Sequence, residues 1–209
     1  MRKRNPELSL TRIIGILVFV AVAALVISRY KQFLSPGRLT GRSAAAAATA
    51  LAQALELYEQ GSFDAARETL APVVSKSALG AEGPAALLLM ARLERLAGDP
   101  AQALALLKRG YEEFPAHSAH PELAAAYGRA LQEQGEADAA VSVLEEVRDT
   151  APPDVRAPAL VGLGLQAEAQ GALLDARALY RQAFQDASPS SPGWNEALDH
   201  LGRVNVALI

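Results

Sequence analysis

Gly61-Ser62-Phe63-Asp64-Ala65-Ala66, Gly98-Asp99-Pro100-Ala101-Gln102-Ala103, Gly135-Glu136-Ala137-Asp138-Ala139-Ala140 and Gly171-Ala172-Leu173-Leu174-Asp175-Ala176 are the four segments that decide the fold of this chain. In each, an alanine follows the glycine by five residues, and the glycines recur at intervals of 37, 37 and 36 residues. A fixed period in this range marks stacked supersecondary units. Stacked units point to a binding scaffold rather than a catalyst.

Other positions keep the same phase. Seven residues before the glycine stands a small residue: Ala54, Ala91, Gly128 and Gly164. Nine after it comes a large apolar one: Leu70, Leu107, Leu144 and Tyr180. Twelve after it are Val73, Gly110, Val147 and Ala183. Seventeen after it are Ala78, Pro115, Pro152 and Ser188, the last followed by Pro189. The pattern predicts two antiparallel helices per unit, closely packed through the small residues that flank a tight turn. The glycine ends the first helix in the left-handed conformation, and the proline ends the second.

Composition agrees with helices. Of 209 residues, 51% are hydrophobic but only 5% aromatic, so alanine and leucine, both good helix formers, carry the core. Charge is divided unevenly. Residues 1–43 hold eight Lys/Arg against Glu7 alone, +7, leaving 12 basic and 22 acidic residues, −10, in the rest. A basic head on an acidic body suits membrane contact at the head and argues against nucleic acid at the body. The chain has no cysteine, which removes disulfides, thiolate metal sites and cysteine catalysis.

The head reads as a basic leader over 1–12 and a transmembrane helix over 13–34. Ile13 to Ser28 carry no charge, a span of about 24 Å as helix against a hydrocarbon core of about 30 Å. Tyr30, Phe33 and Leu34 extend it, and Arg12 and Arg29 can snorkel to the headgroups. Ala21-Val22-Ala23 also allows a cleaved signal peptide, and a core helix is the third reading. The run through Leu25, Val26 and Ile27 favours the retained anchor. Four basic residues stand on each side of the run, so orientation rests on Arg2-Lys3-Arg4 and the terminal amine. They favour an inside N-terminus, with the acidic body on the extracytoplasmic side. Residues 35–43, with Pro36, Gly37 and Gly41, read as a linker. The alanine run from 44 leads into Leu51, Leu55 and Tyr58 at helical spacing and opens the repeats, which extend over 44–190.

The small residues, turn glycines and prolines of these units resemble the tetratricopeptide repeat, a helix–turn–helix unit of about 34 residues. The resemblance covers about residues 46–190. Its departures are the longer period and two polar or small substitutes, Glu94 and Ala167, where a large apolar residue is common. It implies an all-α, right-handed solenoid of about four helical hairpins. Residues 191–209, beginning Trp194-Asn195-Glu196-Ala197-Leu198 after a short lead, read as a capping helix over the open end.

The resemblance further implies that first helices line a concave groove holding a peptide or helix. Its residues stand ten, six and three before each glycine: Leu51, Leu55 and Tyr58; Leu88, Arg92 and Arg95; Ala125, Arg129 and Gln132; Val161, Leu165 and Glu168. Arg92, Arg95 and Arg129 give an acidic body a cationic centre, suited to an acidic side chain or chain terminus. The alternative is that they pair with local glutamates such as Glu94 or Glu133. The asparagines with which some family members clamp a terminal carboxylate are absent.

Catalytic signals are weak. Gly162-Leu163-Gly164-Leu165-Gln166-Ala167 matches a dinucleotide string without a preceding strand. His117 and His120 have zinc-like spacing without a third ligand. Asp199-His200 lacks a motif-borne serine, and Glu112-Glu113 and Glu145-Glu146 read as solvated helix faces. No catalytic residue, metal, cofactor, small-molecule substrate or nucleic acid is expected. The expectation is a single-pass membrane protein that scaffolds membrane-associated protein partners as an adaptor or assembly factor. A permanent structural subunit of a larger membrane complex is the rival, and an enzyme a distant third.

Overall fold

Four helices end on a glycine in the left-handed region, at φ 76° for Gly61, 84° for Gly98, 81° for Gly135 and 76° for Gly171. The residue after each donates its amide five residues back: Ser62 to Leu57, Asp99 to Glu94, Glu136 to Leu131 and Ala172 to Ala167, at 2.8–2.9 Å. This is the Schellman closure, which satisfies carbonyls a helix end leaves open.

The structure is a computed structural model and describes residues 40–76, 79–189 and 191–209. The leader, the membrane helix expected over 13–34 and most of the linker lie outside the described residues, as does Ala78. Among the described residues no helix is long and apolar enough to cross a membrane. The chain divides into two units, Met1–Ala45 and Ala46–Ile209.

Among the described residues the chain forms nine helices and no strand: α1 (Thr40–Glu59), α2 (Phe63–Val74), α3 (Gly83–Leu96), α4 (Pro100–Glu113), α5 (His120–Glu133), α6 (Ala137–Thr150), α7 (Pro153–Ala169), α8 (Leu173–Asp186) and α9 (Pro192–Ala207). Helix α1 opens at Thr40, so 40–43, read as linker from the sequence, are helical. The turn glycines pair α1 with α2, α3 with α4, α5 with α6 and α7 with α8. From α2 onward consecutive helices touch, and so do α3 with α5, α5 with α7 and α7 with α9. Contact between alternate helices is what stacking hairpins into a solenoid produces.

The small positions are where the helices approach. Ala54, Ala66, Ala91, Ala103, Ala140 and Ala176 are buried. In the third and fourth units the earlier small residue is a glycine because the large residue nine after the turn fills its place. A Cβ on Gly128 would stand 2.7 Å from Leu144 Cγ, and one on Gly164 2.7 Å from Tyr180 Cδ1. Leu144 and Tyr180 are fully buried, worth about 1.5–3 kcal/mol for each such side chain.

Prolines stop α4, α6 and α8 as expected, with Pro115, Pro152 and Pro189 just beyond their ends. In the first unit the proline, Pro72, lies inside α2. There Arg109 of α4 donates to the carbonyls of Val74 and Lys76, at 2.5 and 2.6 Å, satisfying the end of α2 from the next hairpin.

Helix α9 covers the last unit. Ala197 and Val204 are buried in a cluster with Val161 and Tyr180, the Trp194 ring lies 4.9 Å from Phe184, and His200 stacks on Tyr180 at 4.8 Å. Ser191 caps its N-terminus, accepting the Trp194 amide.

Candidate functional site: a groove on the first helices

Because first helices lie on one side of the hairpin stack, their outward faces share one surface. Between α3 and α5 that surface opens into a groove of about 710 Å³. Leu55 of α1, Leu88 and Leu89 of α3, Ala125 and Ala126 of α5, and Val155 and Pro158 of α7 form its apolar lining. Its floor reaches Ala103 and Leu107 of α4. Arg92, Arg95 and Arg129 stand in its wall, together with Glu122, Glu133, Asp154 and Glu196. Leu55 is 45% exposed, a large apolar side chain left open to solvent at this place.

Of the residues expected here, Leu55, Leu88, Arg92, Arg95, Ala125 and Arg129 come together in the groove. The others do not line it. Leu51 is buried in the core of the first two units. Tyr58 lies beneath Arg92, whose guanidinium carbon is 5.8 Å from its ring centre. Gln132 donates to the Gly162 carbonyl at 2.7 Å, a tie between α5 and α7. Val161 is fully buried, and Leu165 packs into the same cluster under α9. Glu168 accepts the Tyr180 hydroxyl at 2.8 Å and lies 3.6 Å from His200. The fourth unit therefore turns these residues towards the cap, because α9 continues the stack as a fifth first helix.

The three arginines have different surroundings. Arg95 pairs with Glu133 at 2.9 Å, both well exposed, a class of contact worth at most about 1 kcal/mol. Arg129 donates both terminal nitrogens to Glu196 of α9, at 2.7 and 2.6 Å. That planar two-bond arrangement is the strong form of the pair, and it holds the Arg129 guanidinium above its ordinary pKa. Arg92 has no carboxylate partner among the described residues. Its neighbour Glu94 lies 3.6 Å from Arg67 instead.

Two of the four wall acids, Glu133 and Glu196, are thus engaged by arginines, and the other two, Glu122 and Asp154, form no ion pair with the groove arginines. Glu122 precedes Arg129 by seven residues on α5, about 10 Å along the helix. Asp154, at the start of α7, accepts the Ser188 amide and hydroxyl at 3.0 and 2.7 Å. These two carboxylates stand near the N-terminal ends of α5 and α7, whereas the arginines, with Glu133 and Glu196 bound to two of them, stand nearer the turn glycines.

The remaining candidates are packing elements. His117 accepts the Ala119 amide at 3.1 Å, and His120 stacks on Tyr111 with Nε2 3.3 Å from Glu146. Gly162 and Gly164 lie in the buried middle of α7, the one facing Gln132 and Leu144, the other Tyr180. Sequence reasoning missed Glu196, Glu122 and Val155. Glu196 had a signal, a carboxylate in the first turns of the fifth first helix, but nothing local pointed to Arg129.

Tetratricopeptide repeat models match residues 51–118 and 94–163, together 51–163. Among solved structures the chain is similar to MamA, residues 41 to the end, from Desulfovibrio magneticus RS-1, with 22% identity and a TM-score of 0.58 over 78% of this chain and 85% of that one. MamA from strain AMB-1 matches at 17% identity and a TM-score of 0.54, over 78% and 94%. MamA from MSR-1 matches at 18% and 0.53, over 79% and 95%. At this identity the likeness concerns the fold. No curated protein matches the sequence.

Proposed function

The chain belongs to the tetratricopeptide repeat family, a family of protein-interaction scaffolds, and on that premise we propose that it captures a peptide or helix of a protein partner in the groove between α3 and α5. The observation that carries this reading is the groove itself, which combines an open apolar lining with arginines on adjacent first helices. An apolar face buried against Leu55, Leu88 and Leu89 supplies affinity, and the charged wall sets register.

In this reading residues 13–34 anchor the chain in the bilayer and the repeats work on the extracytoplasmic side. Anchoring raises the local concentration of the groove near membrane-bound partners. The uncharged run from Ile13 to Ser28 supports it. Protease added to sealed inside-out and right-side-out vesicles tests the topology: cleavage of the repeats only from the cytoplasmic side would reverse it. A photoreactive residue at Leu88 in intact cells tests the groove. A crosslinked protein partner is expected from Leu88 and not from exposed Glu145 on α6. Equal yields from both positions would remove the assignment.

A further inference from the structure

We propose that the groove takes an acidic segment of its partner, and that in the free protein Glu196 occupies the place on Arg129 that a partner carboxylate takes. This rests on the groove reading above and names the chemistry of the partner. Arg129 and Glu196 are 67 residues apart, on α5 and α9, and both line the groove. Their two-bond contact demonstrates that Arg129 accepts a carboxylate in full bidentate geometry from the groove side.

Both side chains are 29% exposed, so the pair is open to exchange with a second carboxylate. Arg92 occupies the equivalent position on α3, six residues before its turn glycine, and carries no carboxylate among the described residues. A partner with one carboxylate near Arg92 and another replacing Glu196 satisfies both guanidinium groups, with its apolar side chains over Leu88 and Leu89. Of the other wall acids, Glu133 is held by Arg95, Asp154 by Ser188, and Glu122 stands about two turns from Arg129 along α5. Helix α9 is thus at once the cap of the fourth unit and a built-in competitor.

A competitor held within the molecule lowers apparent affinity by the fraction of time the site is free. If Arg129 is free in about one molecule in ten, removing the competitor raises affinity about tenfold. The test uses the full-length chain and a fluorescent amphipathic helical peptide with a leucine face flanked by glutamates. Counterparts carry glutamine or lysine in place of the glutamates. Glu196→Gln should bind the acidic peptide about tenfold tighter than the unaltered protein, Arg129→Gln with Glu196→Gln should lose the gain, and the glutamine peptide should show none. If Glu196→Gln disturbs α9, as circular dichroism would reveal, Glu196→Asp gives a second reading with a smaller gain. Equal affinity in both proteins, with Leu88→Asp still abolishing binding, overturns the competitor and leaves the groove. Binding that Leu88→Asp does not touch overturns the groove. No binding by any variant, or tighter binding of the lysine peptide, overturns the acidic partner.

Discussion

At the scale of single residues, the groove arginines Arg92 and Arg129 predict different outcomes for one substitution. Arg92→Glu removes a guanidinium contact with the Tyr58 ring, worth about 0.5–1 kcal/mol at an exposed site, and should leave unfolding nearly unchanged while weakening capture of the Leu88-crosslinked partner. Arg129→Glu instead sets a carboxylate against Glu196 in place of a two-bond pair, and should cost about 1–3 kcal/mol. Chemical denaturation compares them. Equal destabilisation by both would deny Arg129 its structural contact. Reversing all three arginines together therefore mixes lost binding with lost stability, and Arg92 alone is the cleaner probe. A turn glycine and a packing glycine offer a second contrast. Gly98→Ala meets no atom within 4 Å, so only its φ of 84° resists, at about 1–2 kcal/mol. Gly164→Ala drives a methyl group into the Tyr180 ring, an overpacking cost of about 1–3 kcal/mol. Tyr180→Leu should relieve part of the second cost and none of the first. Denaturation midpoints of the paired variants decide it.

Between elements, the contacts that join successive hairpins were less legible in the sequence than those within a hairpin. Gly61, Gly98, Gly135 and Gly171 were readable because a left-handed turn restricts residue choice at one position. Ala54 with Ala66, and Gly128 with Ala140, were readable because close helix approach does the same at a fixed offset. Arg109 closing the end of α2, Gln132 reaching Gly162 and Arg129 reaching Glu196 were not. Their side chains bridge separations of 30 to 67 residues, set by how hairpins stack, and no local spacing encodes that. One such tie is titratable. The Tyr111 hydroxyl of α4 donates to Glu146 of α6 at 2.8 Å, and this bond, with burial, pushes its pKa up to about 12 from 10.0. A pKa raised by folding means the protonated phenol is the form that stabilises. The contribution is complete below pH 10 and disappears as pH rises through about 12. A spectrophotometric titration should find one tyrosine step near 12 in the folded protein, and Tyr111→Phe should remove that step. The later step of Tyr180, which burial and its bond to Glu168 push up further, should remain. A Tyr111→Phe protein that keeps the step near 12, with Tyr180→Phe removing it instead, would show that the bond to Glu146 is not its cause.

Over the whole molecule, stability in a stack of hairpins is a sum of units and the interfaces between neighbours, so damage at one end should stay near that end. Helix α9 allows a direct test. Deleting 191–209 uncovers Val161, Leu165 and Tyr180, which α9 buries, and removes the partner of Arg129. Exposing two or three such side chains costs about 1.5–3 kcal/mol each, comparable to the stability of one unit in a domain held by about 5–15 kcal/mol in total. Unit four, α7 with α8, should therefore open first. Hydrogen exchange should lose protection in α7 and α8, weaken it in α5 through the lost Gln132–Gly162 tie, and leave α3 and α4 unaltered. A uniform loss of protection across α3 to α8 would mean that the hairpins fold as one cooperative block, and the nearest-neighbour description would fail. The same truncated chain bears on the groove, whose apolar walls on α3 and α5 lie outside the melted unit. It should still be crosslinked at Leu88 by its partner, with Arg129 now free of Glu196. Loss of that crosslink while α3 to α6 stay protected would mean that α9 or α7 contributes contacts to the partner that the apolar lining alone does not replace.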